Sequence, residues 1–259
     1  MDSRGGKIMS KKLTILAGIA LLAITIMMAL VGPQNVTGMP DGFSTPIMAF
    51  EFLRTPEEVY SMFAIQIERS ASSAVASCEA FTSEASYIIS GLDTINHLDS
   101  GYILAYTAFI VFLGSLRFGR DRKKLAVVWV FALIAMVFDL LENIALLGIT
   151  EALRYCLAWS TEKNGPAIIE NWLHLLIPFT HIKWAAIPLA FLWGIRGEKP
   201  VSKVSYIARQ ASIAFALFAL VFLVIGMFHR SVVNELMGLC VALCFLSGFI
   251  EAIFHKEAS

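Results

Sequence analysis

The chain predicts an all-α fold: a polytopic membrane protein of six transmembrane helices, with a helical extracytoplasmic segment between the first and second. Three observations carry this. Of its 259 residues, 58% are hydrophobic and 15% charged, at a mean hydropathy of +0.72; soluble domains carry roughly 25% charged residues. Six apolar runs are each roughly long enough to cross a hydrocarbon core of about 30 Å. Basic residues gather in alternate turns between those runs, the pattern that the positive-inside rule describes.

The elements follow in order. Residues 1–12 form a basic N-terminus with Arg4, Lys7, Lys11 and Lys12, expected in the cytoplasm, and the first span covers 13–31. A basic start and an apolar run also describe a secretory signal peptide. This run has about 19 residues against the usual 7–15, and no clean A-x-A follows it, so an uncleaved anchor is expected. Between residues 32 and 100 stand nine acids and only two basic residues, Arg54 and Arg69. The segment 32–98 is therefore expected outside. It opens with turn chemistry at Gly32-Pro33 and Pro40-Asp41-Gly42. Thr55-Pro56-Glu57-Glu58 then starts a helix, with Thr as N-cap, Pro first and Glu third. The stripe Val59, Met62, Phe63 and Ile67 carries that helix to Glu68 or Arg69. Residues 46–54 are apolar apart from Glu51 and rest on the membrane surface or the bundle. The Ser/Ala-rich stretch 70–90 continues the helix or forms a loose cap. The segment is too small for its own core and reads as a lid.

The five remaining spans, 99–116, 125–149, 173–195, 211–228 and 236–254, make up a bundle over 99–254, and 255–259 end the chain. Arg117, Arg120, Arg122, Lys123 and Lys124 fill the turn after the second span; Arg196, Lys199, Lys203 and Arg209 fill that after the fourth; Lys256 follows the sixth. Alternate turns thus hold 14 of the 20 basic residues. A plasma (inner) membrane, multi-pass topology with both termini cytoplasmic satisfies all of them. In the turn 150–172, Tyr155, Trp159 and Trp172 fit an interfacial aromatic belt. Glu251 sits within a turn of the cytoplasmic end and is expected to snorkel to the interface.

Function points to the charged groups inside the apolar runs, because a charge near mid-membrane is costly and faces a partner, water or the protein interior. Asp139, Glu142 and Asn143 are spaced i, i+3, i+4 and share one helix face. The next span carries Thr180, His181 and Lys183. At 1.5 Å per residue, Asp139 and Lys183 both lie about 15 Å below the same end of their spans. Consecutive antiparallel spans are often neighbours. An Asp139–Lys183 ion pair is expected, with Glu142 and Asn143 near His181 and Thr180. The second span adds Asp93 with His97, and Asp99, Tyr102 and Tyr106 on one face.

Several classes find no support. Nothing resembles a P-loop, GxGxxG, HExxH or GxSxG, and no internal repeat marks a transporter. Topology accounts for the basic clusters, so nucleic acid is not expected as a partner. His174 and His181, with nearby carboxylates, are donor types for a metal or haem, yet no compact motif holds them; no metal or cofactor is expected. Cys240 and Cys244 share a helix face, as core packing would have it. Cys78 and Cys156 fall on the same side and either pair or remain free.

The pairs Phe50-Glu51 and Lys183-Trp184, Asp99 with Tyr106, and the group Asp139-Leu-Leu-Glu142-Asn143 resemble a set of uncharacterised bacterial inner-membrane proteins. Members of that set have an F-E pair before a short helix, a D-x-x-E-N inside a span, and K-F or K-W in the next. The resemblance covers about residues 46–195 and implies no activity. Its one use is to suggest Glu51 as a further member of the polar cluster, so that the candidate binding set is Glu51, Asp99, Tyr106, Asp139, Glu142, Asn143, His181, Lys183 and Trp184. The first functional expectation is a non-catalytic binding or assembly protein: a subunit of a membrane partner protein, or a holder of a lipid or amphipathic small molecule, within the lipid bilayer. The alternatives are a membrane-embedded enzyme on a lipid-like substrate, with Glu142 or His181 as acid or base and Lys183 as electrostatic stabiliser, and a small transporter or proton relay.

Overall fold

The computed structural model describes residues 3–69, 76–79, 83–119, 121–158, 165–230 and 232–256. Its elements are α1 (Ser3–Val31), α2 (Pro46–Glu51), α3 (Pro56–Met62), β1 (Gln66–Arg69), β2 (Ala76–Glu79), α4 (Ser83–Phe118), α5 (Arg122–Ala158), α6 (Gly165–Trp193), α7 (Lys203–Phe228) and α8 (Val232–Phe254). Six of these helices, α1 and α4 to α8, are long and apolar enough to cross a membrane. The fold is all-α and polytopic. Among the described residues the exception is the hairpin β1–β2, paired antiparallel with Ile67 opposite Cys78. The side chains of Cys78, Cys156, Tyr155 and Trp159 lie outside the described residues.

The long helices pack mainly as α1 on α4, α5 on α6 and α7 on α8, with α4 on α5 and α6 on α7 closing the bundle. The pair α5–α6 comes close because Gly148 leaves room for the Trp172 ring. Pro178 and Pro188 lie inside α6. Each removes one backbone donor, which a membrane helix tolerates where neighbours cover the freed carbonyl.

The spanning helices run beyond the expected apolar spans, α5 to Ala158 and α6 and α7 from Gly165 and Lys203, and two boundaries differ for local reasons. The helix begun by Thr55 does not reach Glu68; it ends at Met62. Ala64 turns left-handed at φ 52, its N–H donates to Ser61 O (3.1 Å), and the Ile65 N–H donates to Tyr60 O (2.9 Å). This is a Schellman ending built on alanine where glycine is usual, so the residue that marks such an end is absent. The second spanning helix, in turn, starts well before residue 99, at Ser83. Its extension carries a buried stripe of Ala85, Ile88, Ile89, Leu92, Ile95 and Asn96, the 3.6-residue period of an amphipathic helix.

The segment α2–α3 covers one end of the bundle. Ala49, Phe50, Leu53, Val59, Met62 and Phe63 are fully buried beneath it. Thr55 caps α3 by accepting from the Glu58 N–H (3.3 Å), while Glu58 accepts from the Arg54 N–H (2.9 Å). Three ties fasten it to the α7–α8 turn. Glu235 accepts from the Ser44 and Thr45 N–H groups (2.9 and 2.8 Å). Arg54 donates to Gly226 O and Met227 O (3.2 and 3.1 Å). Arg230 pairs with Glu58 and donates to Phe52 O (2.6 Å).

At the opposite, basic end, Glu251 does not snorkel. It is fully buried and accepts from Arg117 of α4 (2.7 Å) and Arg209 of α7 (2.7 Å). The two guanidiniums reach inward from the ends of their helices, so the carboxylate finds charge compensation inside the bundle instead of at the surface. Arg117 also donates to Phe191 O (3.3 Å), and Ser205 to Glu251 O (3.2 Å).

Two outcomes are expected. Glu251→Ala strands two buried guanidiniums and should cost about 3–5 kcal/mol in detergent unfolding; an unchanged midpoint would refute the assignment. Burial tends to raise the Glu58 carboxyl, but its bonds to Arg230 and the Arg54 N–H outweigh this and hold it below the ordinary range. The folded pKa being depressed, the stabilisation is present above the ordinary value of 4.5 and is lost as pH falls through the folded value. The protection of α3 amides, measured against their intrinsic exchange rates, should therefore fall on acidification, and Glu58→Gln should show the lower protection already at neutral pH.

Candidate functional site

Beneath α2, side chains from three helices meet at one ammonium group. The i, i+3, i+4 spacing of Thr180, Lys183 and Trp184 puts them on a single face of α6, as it does Asp139, Glu142 and Asn143 on α5. These two faces meet. Lys183 Nζ lies 2.5 Å from Glu142 Oε2 and 3.2 Å from Asp139 Oδ1. The third carboxylate is Glu51, the last residue of α2, with Oε2 at 3.3 Å. An ammonium has three N–H bonds, and here each has a carboxylate to meet. The ion group is dry: the Lys183 side chain is 7% exposed and that of Glu142 is 0%.

Neutral donors complete the group. Trp184 Nε1 donates to Glu51 Oε2 (2.9 Å). Thr180 Oγ1 lies 3.1 Å from Glu142 Oε1 and 3.2 Å from Glu51 O. Asn143 Nδ2 donates to Asp99 Oδ2 (2.7 Å), bringing α4 into the cluster. Tyr102 and Tyr106 stack edge to face beside it, centroids 5.7 Å apart, with Tyr106 fully buried. Three carboxyl groups, Glu51, Asp139 and Glu142, thus share one ammonium, and a fourth, Asp99, joins through Asn143. Burial is the largest influence on Glu51 and pushes its carboxyl above the ordinary range, against the pull of Lys183.

Not every candidate joins. His181 is half-buried, its Nδ1 2.6 Å from Ile177 O and its ring edge-on to Phe52 of the lid at 5.8 Å. A residue beside Thr180 in sequence is turned about 100° around the helix, so Glu142 meets Thr180 and Asn143 meets Asp99 instead. His174 is exposed and lies 3.8 Å from Glu170. Asp93 pairs with Arg154 of α5 rather than with His97. Among the described residues no group of three His, Cys, Asp or Glu side chains is arranged to hold a metal.

The cluster forms the floor of a half-open cavity of about 500 Å³. Glu51, Asp99, Tyr102, Asp139, Lys183 and Trp184 supply its polar end, while Met28, Ile47, Met48, Ile95, Ile187 and Val241 supply apolar wall. Helices α1 and α8 touch toward the basic end, where Lys11 donates to His255 O (2.9 Å) and Gly18 faces the Phe249 ring. Nearer the lid, Thr25 and Met28 of α1 and Val241 and Phe245 of α8 line the cavity. Met28, Ile95, Ile187, Val241 and Phe245 carry no sequence signal, since each is an ordinary apolar residue of a spanning helix.

Lys183→Ala leaves the buried Asp139 and Glu142, and Glu51 beside them, without their ammonium and should cost about 3–5 kcal/mol. Asp139→Asn should cost less, and the double mutant should recover part of the loss, because the two side chains interact directly. Strict additivity in a thermal-unfolding cycle would sink the coupling.

No family model, curated protein or solved structure matches this chain.

Proposed function

We propose that this chain is a non-catalytic binding protein of the plasma (inner) membrane, with both termini cytoplasmic and the lid outside, that holds a lipid or other amphipathic small molecule. The observation that carries the reading is the cavity: about 500 Å³, polar at one end, apolar along its walls, and half-open. Its volume falls within the range of about 300–1,000 Å³ usual for small-molecule sites, and its two-part lining suits a molecule with a head and a tail. The lid supplies part of the lining through Ser44, Thr45, Ile47 and Met48, so its ties to Arg230 and Glu235 bear on access.

The enzymatic alternative is less well supported. Glu142 is sealed behind Lys183, the ammonium is surrounded by carboxylates, and His181 faces the lid's Phe52. A proton relay has one observation in its favour, three carboxyl groups around a single ammonium and a fourth joined through Asn143, which is the material of such pathways. It requires that Asp139→Asn abolish a proton flux in liposomes.

Mass spectrometry of the protein released from mild detergent tests the holding function. A co-purifying amphiphile is expected with the wild type, and Val241→Trp, which fills the cavity wall, should displace it while keeping the helix content of the wild type by circular dichroism. Equal retention by both proteins, or none by either, would refute the proposal.

A further inference from the structure

We infer, building on that holding function, that the head of the bound molecule is a cation: an amphipathic amine or quaternary ammonium, not a phosphate, sulfate or carboxylate. The argument is a census of donors and acceptors around the cavity. Among the described residues Lys183 is the one cationic side chain in its lining, and three carboxylates already surround its ammonium within 3.3 Å. Trp184 gives its N–H to Glu51. Thr45 Oγ1 is committed to Glu235 (2.8 Å) and Thr25 Oγ1 to Leu21 O (2.9 Å), and one N–H of Gln34 goes to Gly32 O (3.1 Å). The other Gln34 N–H and the Ser44 and Tyr102 hydroxyls are neutral donors. An anionic head entering here would find the one charged donor already shared among carboxylates.

Acceptors are in the opposite condition. Trp184 and Lys183 both address Oε2 of Glu51, and Asn143 holds Oδ2 of Asp99. Each of these contacts uses one oxygen of its carboxylate, and both Glu51 and Asp99 line the cavity. Tyr102, Trp184 and Phe245 add aromatic surface to its lining. Carboxylate and aromatic ring together are the two groups that recognise an ammonium, and the ring contribution grows when the cation is desolvated. Trp184 already serves one cation this way, with Lys183 Nζ 5.1 Å from its ring. A second cation beside these carboxyl groups would also favour their ionised form, which a neutral head would not.

The test uses the full-length protein in nanodiscs of a zwitterionic phospholipid. Three probes share one saturated chain and differ in the head: a trimethylammonium, an alcohol and a carboxylate. Binding is read by quenching of tryptophan fluorescence with a bromine on the chain, with Trp184→Phe as the control for site. The trimethylammonium probe should bind about tenfold or more tighter than the other two. Asp99→Asn should remove most of that preference while leaving the alcohol's affinity unchanged. If Asp99→Asn does not fold, Glu51→Gln takes its place. Equal affinity for all three probes, or a preference for the carboxylate, would overturn the cationic class and leave the holding function standing. Failure of every probe to bind would overturn both.

Discussion

The structure depends on the Lys183 ammonium. It is one point charge at the end of a flexible stem, yet it sets the relation of three helices. Glu142 and Asp139 fix α5 against α6, and Glu51 fixes the lid to both. In a low-dielectric interior a lone ammonium or carboxylate carries a large desolvation cost, so each becomes tolerable only when the others arrive. The lid is therefore closed by a charge requirement as well as by its apolar underside. Thr180 reinforces this by meeting both Glu142 and the Glu51 carbonyl, one neutral side chain bridging bundle and lid.

A second ionic centre sits at the other end of the bundle with the opposite imbalance. There two guanidiniums share the carboxylate of Glu251, tying α8 to α4 and α7. Between the two centres, helix packing is apolar and specifies register only loosely, since lipid tails are about as apolar as the side chains that pack. Buried polar groups at both ends supply the specificity that hydrophobicity cannot. The two centres also divide the helices between them. The lid end joins α2, α4, α5 and α6; the basic end joins α4, α7 and α8.

The ion group and the cavity share residues. Along the cavity the one charged donor, Lys183, is turned to carboxylates inside the protein, and carboxyl groups outnumber it. Such an arrangement violates the usual balance of a buried polar network. Departures of that kind are expected where a site is kept ready for something else.

Much of this was legible in the chain. Apolar length marked six spanning helices, alternate basic turns paired their ends, and the i, i+3, i+4 spacing placed Asp139, Glu142 and Asn143 on one face. Matching depths along antiparallel helices brought Asp139 to Lys183. Other features were not legible, for physical reasons. Ala64 ends α3 in a conformation that its side chain does not announce. The turn of α6 that aims Thr180 at Glu142 sends His181 to Phe52, and only the rotation of the helix decides which of the two faces inward. Glu251 looked like a residue bound for the interface, because its partners, Arg117 and Arg209, lie far off in sequence and serve equally well as topology signals. By itself the sequence determined the helices, their alternation and the face each polar group shares, since period and hydropathy are local properties of the chain. The tertiary structure alone decided which charge meets which, and that a cavity remains beneath the lid, because buried charge and empty space are settled by the packing of helices distant in sequence.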